Sequence, residues 1–171
     1  EMSWPSRYSL LWHLAEKNLR VLAAERAIRT ASSRLDVDAG TLGQPYREAL
    51  TKLIREAQRH AEVVAVATFS TQPRRGQTAG QKIRTSSSGL YYMPFLQPDT
   101  IIAAYERYND IAREVARQTG SLLIDGEHDI PGDALHFHDT VHFTDRGSAA
   151  MARRVSRALL SHDQLRPVLQ Q

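Results

Sequence analysis

The chain has 171 residues, 42% of them hydrophobic and 24% charged, with a net charge of +3. That is the length and composition of one ordinary soluble globular domain with a sizeable core. With no cysteine in the chain, disulfides, thiol catalysis and thiolate metal sites are excluded, and the redox compartment is left undetermined.

No apolar run approaches the ~20 residues a membrane helix needs, so no membrane span is expected. No signal-peptide pattern is visible, and neither a secreted nor a cytoplasmic location can be read from the chain. Only Lys17, Lys52 and Lys82 of the 22 basic residues are lysines. Most arginines sit among acids, as in Arg47/Glu48, Arg55/Glu56 and Arg113/Glu114. That pattern predicts a solvated face and no nucleic-acid partner.

Tyr8 to Ala31 reads as a helix. Leu11, Leu14, Ala15 and Leu22 fall on one side, Trp4 and Trp12 add apolar bulk, and Pro5 suits the lead-in. Ser32 to Gly43 reads as a loop. Pro45 opens a second helix to about His60, with Tyr46, Leu50, Leu53, Ile54 and Ala57 as its buried stripe. Val63 to Phe69 is a continuous apolar run rich in β-branched residues, the pattern of a strand covered on both faces. Ser70 to Gln97 is a long connection without periodicity, predicted to lie on the active-site side, where α/β folds place ligands.

A third helix runs from about Pro98 to Gln118, with a stripe of Ile101, Tyr105, Tyr108, Ala112 and Val115 and a stop at Gly120. Ser121 to Asp125 is a second strand. Strand, helix and strand predict a parallel βαβ unit. Gly126 to Val141 is a loop at the same end of the sheet. The last helix covers about Thr144 to Leu160, with Thr144 as N-cap and Met151, Val155, Ala158 and Leu159 buried. Residues 162–171 read as a tail.

Four helices and two strands form an α/β fold, yet a two-stranded parallel sheet has open edges and buries four helices poorly. The chain is therefore expected to be a single unit, residues 1–171, that forms the C-terminal part of a larger domain. Its start at Glu1-Met2 fits a processed start or upstream residues.

The segment richest in chemistry is His136-Phe-His-Asp-Thr-Val-His142. Asp139 lies three residues before His142, a spacing that lets a carboxylate reach Nδ1 of the imidazole in a turn. The carboxylate then fixes the tautomer and leaves Nε2 as a general base. Such a base suits a serine nucleophile, which is protonated at neutral pH.

Asp139-Thr-Val-His-Phe-Thr-Asp-Arg-Gly-Ser-Ala-Ala-Met-Ala-Arg-Arg-Val155 resembles the last conserved block of the SGNH (GDSL) hydrolase family. Three other segments resemble family segments in order: Tyr46 to Ile54 with Val63 to Thr68, then Tyr108-Asn-Asp-Ile-Ala112, then Leu123-Ile-Asp125. The likeness covers about Tyr46 to Leu160. It implies a flavodoxin-like three-layer α/β/α sandwich with a parallel sheet. It also implies hydrolysis of esters, including lipids, acetylated sugars and thioesters, without metal or cofactor. Asp139 becomes the orienting acid and His142 the general base.

The family's Gly-Asp-Ser block and its Gly and Gly-x-Asn-Asp blocks have no match. Asn109-Asp110 lies inside an amphipathic helix and is not that last block. The resemblance thus implies a complementary N-terminal segment carrying the Ser, the oxyanion donors and the missing strands.

Three alternatives stay open. Ser70 and Ser86 to Ser88 are the in-chain nucleophile candidates, without a Gly-x-Ser-x-Gly elbow. His136, His138, Asp139 and His142 form a possible metal site, His136 and His138 being otherwise solvated loop residues. The chain also reads as a non-catalytic α/β binding module or a degenerate fragment. Tyr91, Tyr92, Met93 and Phe95 are candidates for an acyl pocket. Asp125 reads as a turn or cap residue.

Overall fold

The computed structural model describes residues 9–30 and 38–165. Trp4, Pro5, much of the first predicted loop and the end of the tail lie outside them. In chain order the elements are α1 (Leu10–Thr30), a 3-10 turn (Ala39–Thr41), α2 (Gln44–Ala57), β1 (Ala65–Ala67), α3 (Ala79–Thr85), α4 (Ser87–Tyr92), α5 (Pro98–Thr119), β2 (Leu122–Ile124) and α6 (Asp145–Ser161). The fold is mixed α/β, and β1 and β2 pair in parallel with Val66 opposite Leu123. The α5 crossover therefore completes the βαβ unit the sequence predicts.

Local chemistry sets the helix ends. Pro45 lies in the first turn of α2, behind Gly43. Gly120 closes α5 at φ 68°, a conformation that glycine adopts without strain. Thr144 caps α6 by accepting the Gly147 N–H at 3.2 Å.

The long connection departs from expectation, because α3 and α4 lie within it. Thr78 and Gln81 form a reciprocal capping box that starts α3. Helices of seven and six residues are too short to display a hydrophobic period, so composition alone reads as loop.

One core cluster lies between α2, α5 and the sheet: Ile54, Val66, Ile111, Ala112, Val115 and Ala116, with Tyr46 and Leu50 against it. A second joins Leu90 and Ile101, with Ile83, Leu96 and Tyr105 around them. Leu53 corrects the predicted stripe of α2, since it is 67% exposed.

The strands also differ from expectation. Both are shorter than predicted, and β1 buries Val66 while Ala65 and Ala67 are exposed. Val64 and Thr68 bond towards β2, through Leu122 N to Val64 O at 2.9 Å and Thr68 N to Ile124 O at 3.1 Å. Alternation turns the backbone groups of Ala65 and Ala67 to the outer edge. Phe69, next on that edge, is closed by the Asn109 side chain, which accepts its N–H and donates to its carbonyl, both at 3.0 Å.

The apolar stripe of α1 is a second correction. Leu11 is 80% and Leu22 55% exposed, and Trp12 and Leu14 are exposed too. At 100° per residue, Trp12, Ala15, Leu19 and Leu22 share one arc while Leu10 and Leu14 share another. A helix apolar on more than one side cannot be buried by a single neighbour, and α1 lies against α4.

Two arginines bind the layers, against the expectation of a solvated basic face. Arg113 on α5 grips Asp125 through Nε and Nη2, both at 2.9 Å, and Glu127 at 2.6 Å. Asp125 also accepts from the Thr68 hydroxyl at 3.0 Å and the Gly126 N–H at 2.8 Å. It is therefore a cross-link between α5 and both strands as well as a turn residue.

Arg154 on α6 is buried, and its guanidinium donates to the carbonyl oxygens of Gly126 and Thr68 and to Ser70 Oγ. The predicted apolar face of α6, Met151, Val155, Ala158 and Leu159, is only half-buried. A buried cation ties this helix to both strand ends.

Arg154→Ala strands the Thr68 and Gly126 carbonyls and opens a cavity. It is expected to lower the unfolding free energy by about 2–4 kcal/mol in urea denaturation. Asp125 has its pKa pushed down from 3.8 to about 2, chiefly by the hydrogen bond from Arg113. A depressed carboxyl adds stability above its unfolded pKa and loses it as pH falls through the folded one. Asp125→Asn is therefore expected to destabilise the protein at pH 7, with the difference from wild type closing between pH 3.8 and about 2.

Candidate active site

The chain leaves β2, passes through the loop opened by Asp125 and forms a short hairpin before α6. His138 N donates to His142 O at 2.8 Å and Thr144 N to His136 O at 3.0 Å. Phe137 and Phe143 form the bridge between the two arms, their rings 5.0 Å apart. The tip of this hairpin is Asp139-Thr-Val-His142.

Asp139 accepts the N–H groups of Val141 and His142 at 3.0 and 2.9 Å, which is an Asx-type turn. The same turn sets His142 Nδ1 2.8 Å from Asp139 Oδ2. Burial pushes the Asp139 carboxyl up, but the two backbone N–H groups and the His142 ring outweigh it, so its pKa is lowered. An ionised Asp139 holds the proton on Nδ1 and leaves Nε2 as an acceptor on an exposed ring.

Thr140 fixes the turn to the body. It is buried, and its hydroxyl donates to Thr85 O at 2.9 Å and accepts from Gly89 N at 3.4 Å. Its N–H donates to Ser88 Oγ at 3.3 Å, and its carbonyl accepts from Gln72 N at 2.9 Å. Every polar group of Thr140 therefore ties the Asp139–His142 turn to the long connection. On the other side, α6 closes on the hairpin at Gly147, where a Cβ would overlap the His136 carbonyl oxygen.

The pair borders a cavity of about 350 Å³ lined by Tyr91, Tyr92, Met93, Tyr105, Ser87 and Ser88 among others. A second cleft, beside Arg74 and Glu106, holds about 10 Å³, room for one water at most. Of the predicted acyl-pocket residues, Tyr91, Tyr92 and Met93 line the larger cavity, whereas Phe95 is outside it and exposed.

The other predicted residues separate clearly. Ser70 is buried and bonded to Arg154, which removes it from the site. Ser86 is buried with an unpartnered hydroxyl, whereas Ser87 and Ser88 reach the cavity that His142 borders. His138 is exposed, as expected. His136 is not a solvated bystander, because it is buried with Nδ1 2.7 Å from Asp133 Oδ1. That partnership removes it from the predicted four-ligand cluster. Among the described residues no group of three or more His, Asp or Glu is placed to hold a metal.

No family model, curated protein or solved structure matches this chain. The site thus rests on its own geometry.

Three site residues escape sequence reasoning. Tyr105 appears as part of a buried stripe, yet it lines the cavity, and burial followed by the Asp139 charge raises its phenol pKa. Lys17 reaches the cavity from α1. Thr140 carries no local signal. Its anchoring role is testable: Thr140→Val leaves Thr85 O and Gly89 N without their buried partner. The expected cost is about 1–3 kcal/mol in urea denaturation, with Thr140→Ser close to wild type.

Proposed function

We propose that this chain is the acid–base half of an SGNH-type serine hydrolase acting on carboxylic esters. Its fold would be a flavodoxin-like α/β/α sandwich completed by a complementary N-terminal segment. The observation that carries the reading is the 2.8 Å contact between Asp139 and His142 on the rim of a cavity of about 350 Å³. The outward-facing backbone of Ala65 and Ala67 supports the second part, since an interior strand of a wider sheet presents such an edge.

The chemistry follows from the residues. Nε2 of His142 takes the proton from a serine hydroxyl as Oγ attacks the ester carbonyl. The tetrahedral intermediate collapses, and the alcohol leaves with the proton returned from Nε2. Water then attacks the acyl-enzyme by the same route, releasing the acid and restoring the serine. Asp139 stabilises the imidazolium formed in each half without taking up a proton.

A second reading rests on Ser87 and Ser88, which share the cavity with His142. In that reading the nucleophile is within the chain.

Hydrolysis of p-nitrophenyl butyrate by the protein in its full reading frame tests both. His142→Ala is expected to lower kcat/KM by about 10³-fold or more and Asp139→Asn by about 10²–10⁴-fold. Activity unchanged in His142→Ala sinks the proposal. A fluorophosphonate probe followed by peptide mapping then places the nucleophile, either upstream of these 171 residues or at Ser87 or Ser88.

A further inference from the structure

The cavity beside Asp139 and His142 has a wall chemistry that selects among esters. Tyr91 and Tyr92 meet edge to face with centroids 5.1 Å apart and line it, with Met93 next to them and Val141 from the catalytic turn. Tyr105 presents an aromatic ring from α5, itself packed on Phe69 at 5.5 Å. Lys17 adds an alkyl stem whose ammonium can stay in water. The carboxylate of Asp139 is engaged by His142. What is left for a ligand is mostly aromatic and aliphatic surface with the imidazole at its border.

We infer that this cavity is the seat of a linear, uncharged acyl chain, making medium-chain acyl esters the substrate class. The inference rests on the hydrolase reading for the word substrate, but the binding site stands on the cavity alone. At roughly 30 Å³ per water-sized group, 350 Å³ takes about a dozen non-hydrogen atoms. That is an ester group with about six to eight carbons of chain. It lies near the lower bound of the ~300–1,000 Å³ typical of ligand pockets. An acetyl group would leave most of the wall wet, and a sugar would leave hydroxyls against rings that cannot bond them all. Methionine adapts its shape to a flexible chain.

Alkyl methyl ketones of four, six, eight and ten carbons carry the ester-like carbonyl without a leaving group, so binding is read without turnover. Titrated into the whole chain by calorimetry, they are expected to bind about fourfold more tightly per added methylene. The gain should level off near eight carbons. Tyr91→Ala is expected to weaken 2-octanone binding at least fivefold. Tyr92→Asp, at an exposed position that leaves folding intact, is expected to do the same. Absence of saturable binding, affinity independent of chain length, or wild-type affinity in Tyr92→Asp overturns the inference. Chain-length-dependent binding in a protein that hydrolyses no ester keeps the pocket and removes the hydrolase reading.

Discussion

The guanidinium of Arg154 is the interaction on which the rest depends. It is buried without a carboxylate in contact, and its two terminal nitrogens donate to the carbonyl oxygens of Thr68 and Gly126 and to Ser70 Oγ, while Nε has no partner. Those carbonyls belong to the carboxyl ends of the two parallel strands, so one side chain gathers both strand exits under α6. Desolvation lowers its pKa, but an arginine starts high enough to stay charged, where a lysine at this position would be far more easily neutralised. With only half-buried residues on its apolar face, α6 has little else to hold it at this angle. The position of α6 sets the Thr144 cap, the Gly147 contact with His136 and hence the hairpin that carries His142. Arg113 does the equivalent work from the α5 side with full charges, joining Asp125 and Glu127.

What could be read from the sequence was local. Gly120 as the stop of α5, Pro45 in the first turn of α2 and Thr144 as a cap each depend on residues within one turn of each other, and the βαβ unit follows from the order of its elements along the chain. The exposure of Leu11, Leu22 and Leu53 is not local, since periodicity says which residues share a face but not whether another element covers it. The open side of β1, by contrast, followed from the strand count: two parallel strands leave open edges, and the described residues supply β1 with one neighbour. The long connection was misread from its composition and missing periodicity, although Thr78 and Gln81 spelled out a capping box.

The site divides in the same way. Asp139 and His142 are three residues apart, so a turn alone brings them together, and their sequence spacing was enough to find them. The cavity they border draws on α1, α4 and α5, and no spacing rule connects Lys17, Tyr91 and Tyr105. Arg154 was invisible because a buried arginine and a solvated one look identical in a helix of mixed charge. Only the carbonyls waiting at the strand ends distinguish them.

The hairpin contains the Asp-x-x-His turn twice, at Asp133/His136 and at Asp139/His142, with the same bonds each time. In both, the carboxylate accepts the backbone N–H groups two and three residues on and reaches Nδ1 of the histidine, at 2.7 and 2.8 Å. Identical local chemistry therefore cannot assign different roles. Surroundings do: the His136 side chain is 10% exposed and the His142 side chain 76%. A general base must reach a proton on a bound reactant, which an enclosed ring cannot do. His136 instead passes its carbonyl to Thr144 N and meets Gly147, so the first turn builds the base of the hairpin. The second turn, lifted to the tip and pinned through Thr140, is left with a free Nε2 at the cavity. One motif serves as foundation and as candidate catalyst, and burial alone separates the two.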